Sequence, residues 1–258
     1  MHKKISVITI NFNNCKGLNK TYDSLRIQFD LKSRVEWIVI DGNSTDGSID
    51  FLNSISSEID KLIVESDKGI YDAMNKGLAA ATGEYVWFMN SGDSFYNDLS
   101  VDRVCNAIEL SKADIIFGDT MFVSETGNDI GLISRLKPQK LPQRLTFESF
   151  KYGMNVCHQS LIVRRVICPN YNLDYKLAAD IDWILEILKH NHSSKWVGYT
   201  ISNFEIGGSS YLHTKKAWKE RFQVFSKHYG KFPNIINHIW IIIRRIIFDI
   251  KIKIFQIK

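Results

Sequence analysis

Six aspartates occupy positions from which a carboxylate could do chemistry. Asp41, Asp46, Asp67 and Asp93 lie in polar loops that follow short apolar runs, and Asp180 and Asp182 open a helical stretch in the second half of the chain. A carboxylate accepts a hydrogen bond from a base N–H or a ribose hydroxyl, and it coordinates a hard divalent cation that neutralises a diphosphate. Four such groups at strand ends suit a nucleoside diphosphate. Other phosphate-binding devices lack support: no GxGxxG follows a strand, and the loop from Gly42 to Ser48 lacks the lysine of a P-loop. A second polar group, His158, Gln159 and Ser160, is set inside the apolar run from Asn155 to Val163. A histidine there is either a hydrogen-bonded structural residue or a functional one, and both readings stay open.

The elements that would position these groups follow from apolar periodicity. Ile5 to Ile10, Val35 to Ile40 and Tyr85 to Met89 read as buried strands, each running into a polar loop: Asn11 to Asn14, Asp41 to Ser48, and Asn90 to Asp93. Helical segments lie between them at about 16–28, 47–57 and 70–81, with a further short apolar run from Lys61 to Val64, and Gly83 ends the third helix. The order βαβαβαβ predicts a mostly parallel sheet whose polar loops open on one edge, where ligands bind in such sheets. The loop from Asn90 to Asp93, taken alone, is equally an ordinary turn. Further on, Asp114 to Gly118 reads as a strand ending near Asp119, and Ile130 to Leu136 as an antiparallel excursion. Leu177 to Leu188 reads as a helix with residues 181, 184, 185 and 188 toward the core. In its first turn Asp182 reads as a cap that favours the helix dipole, as Asp180 also could.

Composition is that of an ordinary folded chain of 258 residues, 45% hydrophobic and 24% charged. Four dispersed cysteines with no CxxC pair indicate neither a zinc site nor a disulfide framework and suit a reducing cytosol. The apolar run near the start is too short for an export signal. Of the net charge of +5, all but one unit falls between Arg244 and Lys258, so the body is nearly neutral and nucleic acid is not an expected partner.

The motifs ISVITINFNN, IVIDGNSTDGS, SDKGIYDAMNKGLAAATGEYVWFMNSGD, CHQS and AADIDWIL, in that order over residues 5 to about 210, resemble family 2 glycosyltransferases of the GT-A fold. The likeness extends to bacterial enzymes of the colanic-acid type that build O-antigens, capsules and exopolysaccharides. It implies an α/β fold with a Rossmann-like, mostly parallel central sheet flanked by helices. It also implies a catalytic unit over 1–212, divided into a nucleotide-sugar half (1–95) and an acceptor half (96–212). For the site, the resemblance implies that Asn11, Asp41, Asp67, Lys68 and Asp93 bind the nucleotide sugar. Asp93 would hold Mg²⁺ or Mn²⁺, His158 and Gln159 would position the acceptor, and Asp180 would be the general base of inverting transfer. Asn90 and Gly92 stand where that family's metal loop has two further acids, and Ala179 replaces an acid before Asp180. Gly207 to Ser210 resembles the family's terminal Gly-Gly-Ser loop, with a flexible linker as the other reading.

From Phe232 the chain is dominated by isoleucine with interspersed arginine and lysine, and its longest uninterrupted apolar piece, Ile239 to Ile243, is too short to span a bilayer. As a helix it carries one apolar stripe through Ile236, Ile239, Trp240, Ile243, Ile246, Ile247 and Ile250, with Asn237, Arg244, Lys251 and Lys258 elsewhere on the circumference. Residues 213–258 therefore read as a basic amphipathic extension drawn to an anionic inner-leaflet surface, or else as a helix packed on the body or a dimer partner. The alternation from Ile250 to Ile254 also allows a terminal strand. The expected reaction carries a hexose or N-acetylhexosamine from a nucleotide sugar, with UDP first, to a polyprenyl-diphosphate-linked saccharide. Its rivals are a non-catalytic nucleotide- or carbohydrate-binding module and a sugar-1-phosphate nucleotidylyltransferase, although Asn11 to Lys16 lacks the Gly-rich basic loop of the latter.

Overall fold

The computed structural model describes residues 4–28, 31–124, 126–137, 141–207 and 214–256. Its first half follows directly from the apolar runs. Strands β1 (Ile5–Asn11), β2 (Val35–Asp41), β3 (Lys61–Val64) and β4 (Tyr85–Phe88) pair in parallel in the order β3-β2-β1-β4. All of β1 and β2 is buried because both faces of the sheet are covered. Helices α1 (Cys15–Arg26), α3 (Ser48–Ser54) and α4 (Ile70–Ala80) connect the strands, with a short turn α2 (Leu31–Arg34) before β2. Asn14 caps α1 by accepting from Gly17 N. Close approach sets one residue type on α4: a Cβ at Gly77 would lie 2.4 Å from Ile8 Cγ2, so only glycine lets the helix lie on β1.

Beyond β4 the sheet becomes mixed. β4 pairs antiparallel with β8 (Leu161–Arg164), and β8 antiparallel with β6 (Ile115–Val123). β6 runs parallel to β9 (Ser194–Glu205), and β9 antiparallel to β5 (Ser94–Phe95). β6 continues past Gly118, where the strand ending was expected. Gly118 makes this possible, since a Cβ there would lie 2.6 Å from Ile201 Cγ1, and the register shifts on either side of Asp119 bend the strand. The expected antiparallel excursion is β7 (Asp129–Leu132) on β6, but it turns at once into the short helix α6 (Ile133–Leu136). Helix α5 (Ser100–Ser111) backs one face of the sheet, and α7 (Ala179–Leu188) packs on the other with α4.

Helices α8 (Thr214–Tyr229) and α9 (Lys231–Gln256) complete the chain, broken at Gly230, whose φ of 85° is left-handed. The end of the chain is thus helical through Gln256, and the alternative of a terminal strand is not seen. Asp182, expected as a cap, instead binds α8: it accepts from Lys227 Nζ at 2.8 Å and lies 2.7 Å from His228 Nε2. Helix α9 rests on the body through Asn234, Asn237, His238, Arg244 and Phe248, all buried. The expected stripe from Ile236 to Ile250 therefore faces outward, 38–72% exposed. Arg244, expected on the solvent side with the lipid-seeking charges, points inward and donates to the Tyr152 carbonyl. No helix among the described residues is long and apolar enough to cross a membrane.

Candidate active site

The strand-end loops open on a cleft of about 1280 Å³ that extends to α7 and under α8 and α9. Its floor is the loop after β4. Thr21 on α1 clamps that loop: its Oγ1 donates toward Asp93 O at 2.6 Å and accepts from Gly92 N at 3.1 Å. Asn14 Nδ2 adds a bond to Ser91 O. Gly92 has φ 102°, a turn that no other residue adopts cheaply. The Asp93 carboxylate is buried, accepts from Gln159 Nε2 at 2.9 Å, and is pushed by that burial up to about 7. Beside it, Asn90 Oδ1 and Ser91 Oγ are buried without partners. One carboxylate with two unsatisfied neutral oxygens is a donor set of the kind Mg²⁺ or Mn²⁺ takes, since such ions keep waters and substrate phosphates as remaining ligands.

Asp180, in the first turn of α7, lines the same cleft. Tyr71, from α4, donates to its Oδ1 at 3.1 Å. Burial, reinforced by the Asp180 charge, holds the Tyr71 phenol well above its usual pKa, so it stays a donor. The hydrogen bond therefore orients the carboxylate. His158 is packed among Phe88, Tyr171 and Trp183 and shares a 2.8 Å hydrogen bond with Tyr171 Oη, while burial lowers its pKa. A neutral ring so enclosed braces the wall of the cleft. Gln159 joins the turn from His158 to Ser160 to the Asp93 loop.

The other expected residues divide. Asp67 lines the cleft, with Oδ1 accepting from Gly69 N. Lys68 is exposed outside the cleft lining. Asn11 and Asp41 are buried behind it: Asp41 accepts from Ser44 N, Ser44 Oγ and Asn11 Nδ2 at 2.7, 2.9 and 2.6 Å. Paired at one level of β1 and β2, these two side chains tie the loops together and are not among the residues that line the cleft. Asp46 does similar work, accepting from Cys15 N and from Ser48. Ile10, Asn14, Gly42 and Phe12, the last 63% exposed, reach the cleft at this level. A Cβ on Gly42 would lie 2.7 Å from Asp67 Oδ2.

The sequence profile of glycosyl transferase family 2 matches residues 6–168, more than half of the chain. The chain belongs to that family. This family 2 chain is 34% identical over 187 residues to an uncharacterized glycosyltransferase of Mycobacterium tuberculosis, covering 70% of the chain and 67% of that protein. To a PGL/p-HBAD biosynthesis glycosyltransferase of Mycobacterium bovis it is 29% identical over 202 residues, 74% of each. Among solved structures, Staphylococcus aureus TarS in complex with UDP matches with a TM-score of 0.66 at 18% identity, over 87% of this chain. This chain spans 65% of that TarS chain. A Pyrobaculum calidifontis mannosyltransferase in complex with GDP-Man and Mn²⁺ matches with a TM-score of 0.67 at 14% identity, over 97% of this chain and 74% of the other. At such identities the likeness establishes the fold, which is GT-A.

The cleft also involves residues that were not among the expected site residues. Thr21, Tyr71, Lys137, Arg221 and Arg244 clamp or line this cleft from segments far apart in sequence. Of these only Tyr71 lies within a motif, three residues after Lys68. A separate cluster, Asp182, Glu186 and His228, has metal-like spacing between α7 and α8. Lys227 Nζ lies 2.8 Å from Asp182 and 2.9 Å from Glu186, so an ammonium already balances those charges.

Proposed function

We propose that the protein is an inverting, metal-dependent hexosyltransferase that moves a hexose or N-acetylhexosamine from a nucleotide sugar, UDP before GDP, to a saccharide on polyprenyl diphosphate. The setting is bacterial surface-polysaccharide assembly, O-antigen or capsule, at the cytoplasmic face of the inner membrane. One observation carries the reading: Asp93 and Asp180 line a single cleft from two separate walls, the strand-end loop and the first turn of α7. Residues 1–212 then form the catalytic unit and 213–258 its membrane-associating extension.

In this reading Asp180, oriented by Tyr71, takes the proton from an acceptor hydroxyl as that oxygen attacks the anomeric carbon. A single displacement opposite the departing diphosphate inverts that carbon, so an α-linked donor yields a β-linked product. Asp93 with the oxygens of Asn90 and Ser91 would hold a divalent cation, which would supply charge neutralisation at the diphosphate. Gln159 keeps the Asp93 carboxylate aimed at that place, while exposed Phe12 offers a face on which a base can stack. The outward isoleucines of α9 support membrane association through apolar burial.

The test is nucleotide release from a panel of UDP- and GDP-sugars, with and without Mg²⁺ or Mn²⁺. Asp93→Ala and Asp180→Ala should each abolish it. Wild-type protein that binds UDP yet turns over no donor, with any acceptor saccharide tried, would instead identify a binding module. For the membrane step, Ile243→Lys with Ile247→Lys should release the protein from anionic vesicles in co-sedimentation without altering its thermal unfolding. Undiminished sedimentation would remove α9 from that role.

A further inference from the structure

The cleft is also lined by six cations that the proposed reaction does not use; of these Lys176 and Lys216 are exposed and Arg245 is paired with Asp249, which leaves Lys137, Arg221 and Arg244. Lys137 directly follows α6, Arg221 lies on α8, and Arg244 lies on the inward stripe of α9. Lys137 Nζ donates to the Met154 carbonyl at 2.7 Å, and Arg244 Nη1 to that of Tyr152. The Nε atoms of Arg221 and Arg244 are buried and have no partner. Among the described residues no carboxylate forms an ion pair with any of the three, whereas the neighbouring Arg245 is paired with Asp249 at 2.9 Å. Burial pushes the Lys137 ammonium down to about 8, and the charges of Arg221 and Arg244 act in the same direction. Removing cations from water costs several kcal/mol each unless an anion compensates. Three of them converging on a cavity from separate segments is the arrangement that binds a phosphate group through charge-assisted hydrogen bonds.

We propose that Lys137, Arg221 and Arg244 form an anion subsite for a diphosphate, and that this diphosphate belongs to the lipid-linked acceptor and not to the nucleotide sugar. The second clause rests on the function proposed above. Arg221 lies on α8, which is bound through Lys227 and His228 to Asp182 of α7, the helix whose first turn carries Asp180, so this part of the cluster is on the side of the general base, where the acceptor hydroxyl arrives. Helix α9 then serves both ends of one substrate. Arg244 faces the cleft, while Ile243 and Ile247, 41% and 38% exposed, face outward. A helix with its side chains is roughly 10 Å across. A head group in the cleft and its hydrocarbon chain in the bilayer therefore need be separated by little more than that helix.

Calorimetric titration of the full-length protein tests this with three probes: UDP in the presence of Mg²⁺, farnesyl diphosphate, and farnesol. Farnesyl diphosphate should bind protein already saturated with UDP, and farnesol should not bind. Lys137→Met and Arg244→Gln should each weaken farnesyl diphosphate at least tenfold and leave the UDP Kd unchanged, with Arg221→Lys close to wild type. Lys137→Met, whose lost contact is one carbonyl, serves should Arg244→Gln fail to fold. Competition between farnesyl diphosphate and UDP, or equal weakening of both by Lys137→Met, would overturn the proposal in favour of a donor-phosphate role. Equal binding of farnesol, or no binding of farnesyl diphosphate, would overturn it outright. Farnesyl diphosphate binding without any UDP binding would leave the subsite standing while removing the transferase reading.

Discussion

Replacing Tyr71 by Phe deletes one hydroxyl and keeps the ring that stacks on Tyr171, with centroids 5.7 Å apart. The lost atom is the donor 3.1 Å from Asp180 Oδ1. A hydrogen bond to a charged group contributes about 1.5–3 kcal/mol. At this length, and with Asp180 only half-buried, the lower end applies. About 1.5 kcal/mol is close to a tenfold change in rate. Removing a general base costs more, roughly 10²–10⁴-fold. The expected order in kcat is wild type, then Tyr71→Phe about tenfold lower, then Asp180→Asn at least about 100-fold lower. KM for the donor should stay unchanged, because the phenol acts through the carboxylate. The assay is steady-state nucleotide release at saturating donor, with thermal unfolding as a control for the fold. In the Asp180→Asn background the Tyr71→Phe change should cost almost nothing in rate, since the base that the hydroxyl orients is gone even though the amide oxygen can still accept its hydrogen bond. A tenfold loss in both backgrounds would show that Tyr71 works through another group and would refute the reasoning.

Three further outcomes follow from packing and charge. Gly77→Ala places a methyl 2.4 Å from Ile8 Cγ2 and should destabilise by about 1–3 kcal/mol, measured by denaturant unfolding, despite the better helix propensity of alanine. Asp182→Asn breaks the link from α7 to Lys227 and His228 and should cost about 1–3 kcal/mol at neutral pH, a range discounted because Lys227 is partly exposed. Burial raises the Asp182 carboxyl, but the bonds from His228 and Lys227 outweigh it and hold the group below its usual range. That stability is present above the ordinary aspartate value and is lost as pH falls through the folded one, so the wild-type and variant stability curves should begin to converge at about pH 4 and meet only below the folded value. Gly92→Ala forces a methyl-bearing residue into a left-handed turn at a cost of about 1–2 kcal/mol. The variant should raise the Mg²⁺ or Mn²⁺ concentration needed for half-maximal activity.

Much of the frame was legible because its signals are local. Each of the first four strands announces itself as a short apolar run, and the helices between them are bounded by glycine and by capping asparagine. Side-chain direction was less legible. Asp41 does stand at a strand end, yet its carboxylate is consumed by Ser44 and Asn11, a bond between adjacent strands that no single segment records. The extension of β6 past Gly118 depends on a neighbour, Ile201, that is 83 residues away in sequence. For α9, periodicity revealed two faces, but nothing local says which one the body will take.

The amino-acid sequence by itself determined the parallel half of the sheet, the edge on which its loops open, and the family, since all three rest on short ordered motifs and apolar periodicity. Only the tertiary structure decided that Asp93 and Asp180 share a cleft, that Tyr71 and Gln159 hold them, and that Lys137, Arg221 and Arg244 bring unpaired charge beside them. It also decided that the isoleucine face of α9 turns outward. The reason is that periodicity and turn chemistry act over a few residues. The side chains around the cleft meet across separations of 66 residues for Gln159 and Asp93 and 109 for Tyr71 and Asp180, and only the packed chain closes those distances.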